Sequence, residues 1–145
     1  MGQLCVLLAD DDEDDCFFFQ EALNELPVSA HLTIVQDGEQ LMQLLAKPTT
    51  SLPDVLFLDL NMPRKNGFEC LREVKNSEHL KQLPVVVLST SFDRAMANRL
   101  YQSGASCCMR KPSIHSELKG LIQQALTVVA QRADLPVANG TAVIG

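Results

Sequence analysis

Short, wholly apolar runs alternate with segments of helical periodicity along nearly the whole chain, and few folds accommodate that alternation. Leu4-Cys5-Val6-Leu7-Leu8-Ala9 is apolar without interruption and too short for a helix, as expected of a strand covered on both faces. After an acidic stretch, Cys16, Phe19, Leu23 and Leu26 recur at helical spacing, and Pro27 lies just past the end. Residues 32–35 read as a second strand and 38–46 as a short helix with Leu41, Leu44 and Leu45 inward, followed by a Pro/Thr/Ser connection over 47–53. Asp54-Val55-Leu56-Phe57-Leu58-Asp59 is a third apolar strand, and 67–76 a helix with Phe68, Leu71 and Val74 on one face. Pro84-Val85-Val86-Val87-Leu88-Ser89 is a fourth strand, rich in the β-branched residues that suit a buried sheet. A helix over 92–103 stops at Gly104, and 106–109 forms a short fifth strand. The last helix spans 113–131, with Ile114, Leu118, Leu121, Ile122, Ala125, Leu126 and Val129 as a wide apolar stripe.

Five such repeats require right-handed crossovers, hence an α/β fold: a doubly wound, five-stranded parallel sheet with five helices on its two faces. The length of 145 residues suits one domain, placed at 1–131, and 46% hydrophobic residues suffice for its core and argue against disorder. The tail, 132–145, has no sustained period and is expected to be flexible, although Ala142-Val143-Ile144 could dock on a groove or on a second copy. No apolar stretch reaches the roughly 20 residues that span a bilayer, and Met-Gly-Gln-Leu lacks the basic start of a signal peptide. Five cysteines, an odd number lying mostly in apolar segments, read as reduced core thiols of a cytoplasmic protein.

The formal charge of −6 comes from 18 acids against 12 bases, and six of those acids form one run, Asp10-Asp11-Asp12-Glu13-Asp14-Asp15. No cluster of Lys and Arg is present to neutralise phosphates, which argues against nucleic-acid binding. Open parallel sheets bind ligands outside the carboxyl ends of their strands. There the first strand delivers Asp10 and Asp11, the third Asp59, the fourth Ser89, and the fifth is followed by Lys111-Pro112. Carboxylates converging in a crevice repel by about 4 kcal/mol per pair at 4 Å and an effective dielectric near 20. A hard divalent cation with all-oxygen ligation offsets that, and Mg2+ is the expected cofactor. Lys111 can hold an anion, Ser89 offers a hydroxyl, and a carboxylate among such groups is suited to attack phosphorus.

The segments Leu-Leu-Ala-Asp10-Asp11, Leu-Phe-Leu-Asp59-Leu-Asn61-Met62-Pro63…Gly67, Val-Val-Leu-Ser89 and Arg-Lys111-Pro112, in that order and spacing, resemble the receiver domain of bacterial two-component response regulators. The likeness covers roughly residues 4–131 and is nearest to the stand-alone receivers. It implies the flavodoxin-like, CheY-like strand order 2-1-3-4-5. It implies that Asp59 accepts a phosphoryl group from a histidine kinase or phosphotransfer protein, and that Asp10, Asp11, Asp59 and the backbone carbonyl of Asn61 hold Mg2+. Ser89 and Lys111 would bond the phosphoryl oxygens, and Pro112 matches a position where the family often has a cis bond. The expected product is a signalling switch and not an enzyme. It would pass its state to a protein partner, or to a second copy in a homodimer, through the fourth helix, fifth strand and last helix. One position departs from the pattern. Cys108 stands where many receivers carry an aromatic that swings inward with the switch hydroxyl, and Tyr101, the single tyrosine, does not match that position.

Other readings compete at particular residues. Asp12 to Asp15 read as the capped, solvated start of a helix. Asp10, Asp12, Asp14 and Glu21 fit calcium-loop spacing, but Asp15 stands where that loop needs glycine and a strand precedes it. Asp59-Leu60-Asn61 resembles aspartyl-nucleophile phosphohydrolases, except that Asn61 cannot act as their general acid. His31, His79 and His115 share no metal-ligand spacing, and Cys107 and Cys108 read as core packing.

Overall fold

The structure, a computed structural model, describes residues 3–47, 51–131 and 143–145. The expected strands form as β1 (Leu4–Ala9), β2 (Ala30–Val35), β3 (Val55–Asp59), β4 (Val85–Ser89) and β5 (Cys107–Arg110). A further two-residue strand, β6 (Val143–Ile144), lies beyond them. All pair in parallel, in the order β2-β1-β3-β4-β5-β6. The five-strand order expected from the sequence is therefore present, with one strand added at the β5 edge. There Cys108 lies opposite Val143 and Met109 opposite Ile144. Those two tail residues are paired with the sheet, while 132–142 lie outside the described residues.

The pleat sorts the core. Leu7 and Ala9 of β1, Leu56 and Leu58 of β3, and Val85 and Val87 of β4 face one side. They meet Leu41 and Leu45 of α2 (Gly38–Leu45), Cys70, Leu71 and Val74 of α3 (Gly67–Asn76), and Leu100 of α4 (Arg94–Gln102). Val6, Leu8, Phe57, Val86 and Leu88 face the other side. They meet Cys16, Phe19 and Leu23 of α1 (Glu13–Asn24) and Leu118, Ile122 and Ala125 of α5 (Leu118–Gln131). Two apolar layers thus enclose strands that are fully buried, as β3 and β4 are at every residue. The last helix begins later than its periodicity suggests. His115–Glu117 forms a separate 3-10 turn, and Ile114 is 58% exposed because it precedes the helix instead of facing the core. Phe17 likewise points outward, since three consecutive phenylalanines cannot share one helical face.

Side chains set the helix starts. Asp12, Asp37 and Asp93 accept N–H bonds from Asp15, Gln40 and Met96, and Asn66 with Glu69 forms a capping box at α3. Gly67 begins α3 hard against β3: a Cβ there would run into the carbonyl oxygen of Asp59, while its N–H donates to Leu60 O at 3.0 Å. Gly120, in the first turn of α5, has open space where its Cβ would go. Gly67→Ala should therefore destabilise the fold by about 1–3 kcal/mol through overpacking. Gly120→Ala should be neutral or stabilising by up to about 1 kcal/mol. Urea unfolding midpoints of the two variants check this pair.

Candidate functional site

Among the described residues, the buried polar or charged side chains are Asp10, Asp37, Asp59 and Ser89. Asp37 caps α2 and pairs with Arg64 at 3.6 Å, which accounts for it. The other three stand at the carboxyl ends of β1, β3 and β4, where the strand-end reading of the sequence put them.

Asp10 follows β1 and is 1% exposed. Its Oδ1 accepts the Asp12 N–H at 3.0 Å, and its own N–H donates to Val35 O at 3.0 Å. Asp59 ends β3, is 4% exposed, and accepts the Asn61 N–H at a long 3.4 Å. Asp11 is exposed at the rim, and one carboxylate oxygen from each of Asp10, Asp11 and Asp59 lies within 4.8 Å of the others. Burial raises the Asp10 carboxyl above its usual range, against the Asp12 N–H and Lys111. Burial and then the charge of Asp10 push Asp59 up to about 6, against Lys111 and the Asn61 N–H. Two buried acids that resist ionisation beside a third, with oxygen donors only, fit a hard divalent cation.

Lys111 bridges the pocket. Its N–H donates to Ser89 O at 2.8 Å, which ties the segment after β5 to the end of β4. Its ammonium lies 2.9 Å from Asp10 Oδ2, 3.0 Å from Asp15 Oδ2 and 3.4 Å from Asp59 Oδ1. Burial works against that charge, but the hydrogen bond and charge of Asp10, then Asp59 and Asp15, raise the lysine above its ordinary range. The Lys111–Pro112 bond is trans, as no peptide bond of the described residues is cis.

Three of the expected residues are placed otherwise than the sequence suggests. The Ser89 hydroxyl donates to Ser91 O at 2.9 Å, so it is turned along its own loop in this state. Asn61 is exposed, and its N–H is the group directed to Asp59. Asp15, which the sequence places with the solvated helix start, reaches Lys111 from 96 residues away in sequence. Its only sequence signal is position: it stands one helical turn after Asp11, beside the buried Cys16. Asp12, by contrast, behaves as expected and caps α1 through the Asp15 N–H at 3.1 Å. That cap, with Asp10 drawn into the sheet edge, leaves no loop of residues 10–21 to wrap a calcium ion.

At the position of the missing aromatic, Tyr101 of α4 comes in from the side, and its hydroxyl accepts the Cys108 N–H at 3.1 Å. Phe18 of α1 stacks on His115, with ring centroids 3.6 Å apart, and with Lys111 and Pro112 lines the flank of the pocket.

Fold and site together define a doubly wound α/β domain with an acidic, lysine-bridged pocket at the carboxyl edge of its sheet. The family described as Response regulator receiver domain matches residues 6–123. The chain belongs to that family: it is a receiver domain of the two-component response regulators, whose phosphorylation on aspartate is general to the family. It is similar to "Response regulator Rcp1" of Synechocystis sp. (strain ATCC 27184 / PCC 6803 / Kazusa), 31% identical over 137 residues, covering 92% of this chain and 93% of that one. Among solved structures it resembles the phosphorylated cyanobacterial phytochrome response regulator RcpA, with a TM-score of 0.78 and 33% identity over 87% of this chain and 96% of that one. It also resembles the Mn(2+)-bound form of Rcp1, with a TM-score of 0.74 and 29% identity over 90% of this chain and 92% of that one. Among the described residues, no helix is long and apolar enough to cross a membrane.

Because the folded-state value of Asp59 lies above the ordinary 3.8, its protonated form favours the fold; that contribution is present below about pH 4 and lost as pH rises through about 6. In chelator, Asp59→Asn should therefore raise the melting temperature at about pH 7.5 by on the order of 5 °C, and by much less at about pH 4.5. Millimolar Mg2+ should raise the wild-type value at neutral pH and leave Asp59→Asn nearly unmoved. Scanning calorimetry of both proteins at the two pH values is the check.

Proposed function

We propose that Asp59 is the phosphoacceptor of this receiver, served by a Mg2+ ion, Lys111 and Ser89. The observation that carries this reading is the burial of Asp59 at the end of β3 between the Asp10–Asp11 pair and the Lys111 ammonium. The cation would be held by Asp10, Asp11, Asp59 and the carbonyl of Asn61, and when bound it supplies positive charge that neutralises the carboxylates and the phosphoryl oxygens.

The chain's own residues account for the rest. One carboxylate oxygen of Asp59 attacks phosphorus on the phosphohistidine of a kinase or phosphotransfer protein. The P–N bond breaks, and its electron pair stays on the imidazole, which then takes a proton. Lys111, already 3.4 Å from Asp59 Oδ1, donates to a phosphoryl oxygen. Ser89 leaves Ser91 O and turns its hydroxyl to the same group. Lys111 N–H bonds Ser89 O, and Ser89 lies opposite Arg110 in the β4–β5 ladder, so that turn bears directly on β5. The Tyr101–Cys108 bond then extends the path to α4 in place of the absent aromatic. The phosphoryl group thereby biases a pre-existing equilibrium of the α4–β5–α5 face, which is read by a cytoplasmic protein partner or a second copy of the chain. The chain acts as a stoichiometric switch. Asn61 stands where aspartyl-nucleophile hydrolases need an acid, which disfavours turnover.

With acetyl phosphate and Mg2+, intact-mass measurement should find one labile phosphoryl adduct on the wild type and none on Asp59→Asn. Lys111→Ala should slow its formation at least about tenfold, as expected when a charge-assisted donor to the transferred group is lost. Equal adduct on Asp59→Asn removes the assignment. Sustained hydrolysis of phosphomonoesters would instead mark an enzyme, and tight Ca2+ binding that survives Asp59→Asn a calcium module.

A further inference from the structure

Of the four residues assigned to helix-start solvation, Asp15 alone pairs with Lys111, and its setting differs from that of the other two acids on the same ammonium. A lysine ammonium has three N–H donors and no acceptor. Here it faces Asp10 Oδ2 at 2.9 Å, Asp15 Oδ2 at 3.0 Å and Asp59 Oδ1 at 3.4 Å. Asp10 and Asp59 belong to the group of carboxylates close enough to share a cation, and Asp15 does not. A cation on Asp10, Asp11 and Asp59 competes with Lys111 for their oxygens, and esterification consumes an Asp59 oxygen outright. The Asp15 oxygen is untouched by either event. Asp15 is also well fixed: its N–H is bound by the Asp12 cap, and α1 packs beside α5, which follows the Lys111 loop.

We propose that Asp15 is a positioning residue for phosphoryl transfer, holding the Lys111 ammonium over the pocket while Asp10 and Asp59 are engaged, so that one N–H is presented to the phosphoryl oxygens. This rests on the reading of Asp59 as acceptor. In the step concerned, an Asp59 oxygen bonds to the phosphorus of acetyl phosphate, the bond from phosphorus to the acetyl oxygen breaks, and acetate leaves with the electron pair. Lys111 keeps its protons throughout. Asp15 touches neither donor nor acceptor and acts through Lys111.

The test is a double-mutant cycle of Asp15→Asn and Lys111→Ala, with Asp15→Glu as the conservative variant and Asp59→Asn as control, in saturating Mg2+. Asp15→Asn should lower the maximal rate of adduct formation about three- to tenfold, leave half-saturation by acetyl phosphate within about twofold, and have almost no further effect in Lys111→Ala. Asp15→Glu should recover most of the rate. A second readout needs no cation: in chelator, the change in melting temperature caused by Asp15→Asn should differ by at least about 2 °C between the wild-type and Lys111→Ala backgrounds. Wild-type rates in Asp15→Asn, an equal loss in Lys111→Ala, or additive melting shifts each overturn the proposal. An absent adduct on wild type, or one on Asp59→Asn, overturns the Asp59 reading instead, and the chelator cycle still decides whether Asp15 and Lys111 are coupled.

Discussion

Everything at the working edge of this protein follows from one electrostatic constraint: the sheet ends in buried carboxylates that, among the described residues, share the single ammonium of Lys111. Asp10 and Asp59 are 1% and 4% exposed, so water screens their mutual repulsion poorly. Lys111, paired with both, offsets only part of the cost: burial first, and at Asp59 then the charge of Asp10, still holds both carboxyls above their ordinary range. Such a pocket is stable enough to fold yet poised to gain positive charge. The same imbalance that weakens the metal-free fold supplies the affinity for a divalent ion.

The scaffold holds this tension in place. β1, β3 and β4 are sealed between two apolar layers, so their ends have little freedom to splay apart. Gly67 lets α3 press against the backbone of Asp59, and Lys111 N–H binds the end of β4. An added charge at Asp59 is therefore met by a rigid base and a lysine loop tied to β4. The bonded contacts that leave this edge run from the end of β4 through Lys111 N–H and from β5 through Cys108 N–H to Tyr101 of α4.

Much of this could be read from residue order alone, because alternating apolar runs and helical stripes admit few arrangements and strand ends are ligand positions. Leu4–Ala9 and Gly67–Asn76 form with the expected limits, and Asp10, Asp11, Asp59 and Lys111 converge from separate elements. Three features were not legible, each for a physical reason. Asp15 sits in a run of chemically similar acids, and which of them faces Lys111 depends on the rotation of α1 about its axis. Tyr101 reaches Cys108 from a helix, a contact that no strand-based position reveals. Ile114 fits the helical period but precedes a 3-10 turn, whose tighter winding breaks the phase of the stripe.

The short strand β6 has a consequence for how this domain meets its surroundings. Without it, β5 would present an open row of amide and carbonyl groups at the side of the sheet. With Val143 opposite Cys108 and Ile144 opposite Met109, and Gly145 O accepting from Arg110 Nη1 at 2.8 Å, part of that row is covered by a strand too short to offer much of an edge itself. Anything attached beyond Gly145, whether a natural extension or an engineered label, thus starts its path next to Arg110 and Leu121, beside β5 and α5, and not at the distant foot of α5. A reporter fused there would lie against β5 and α5 and crowd whatever approaches that side of the sheet.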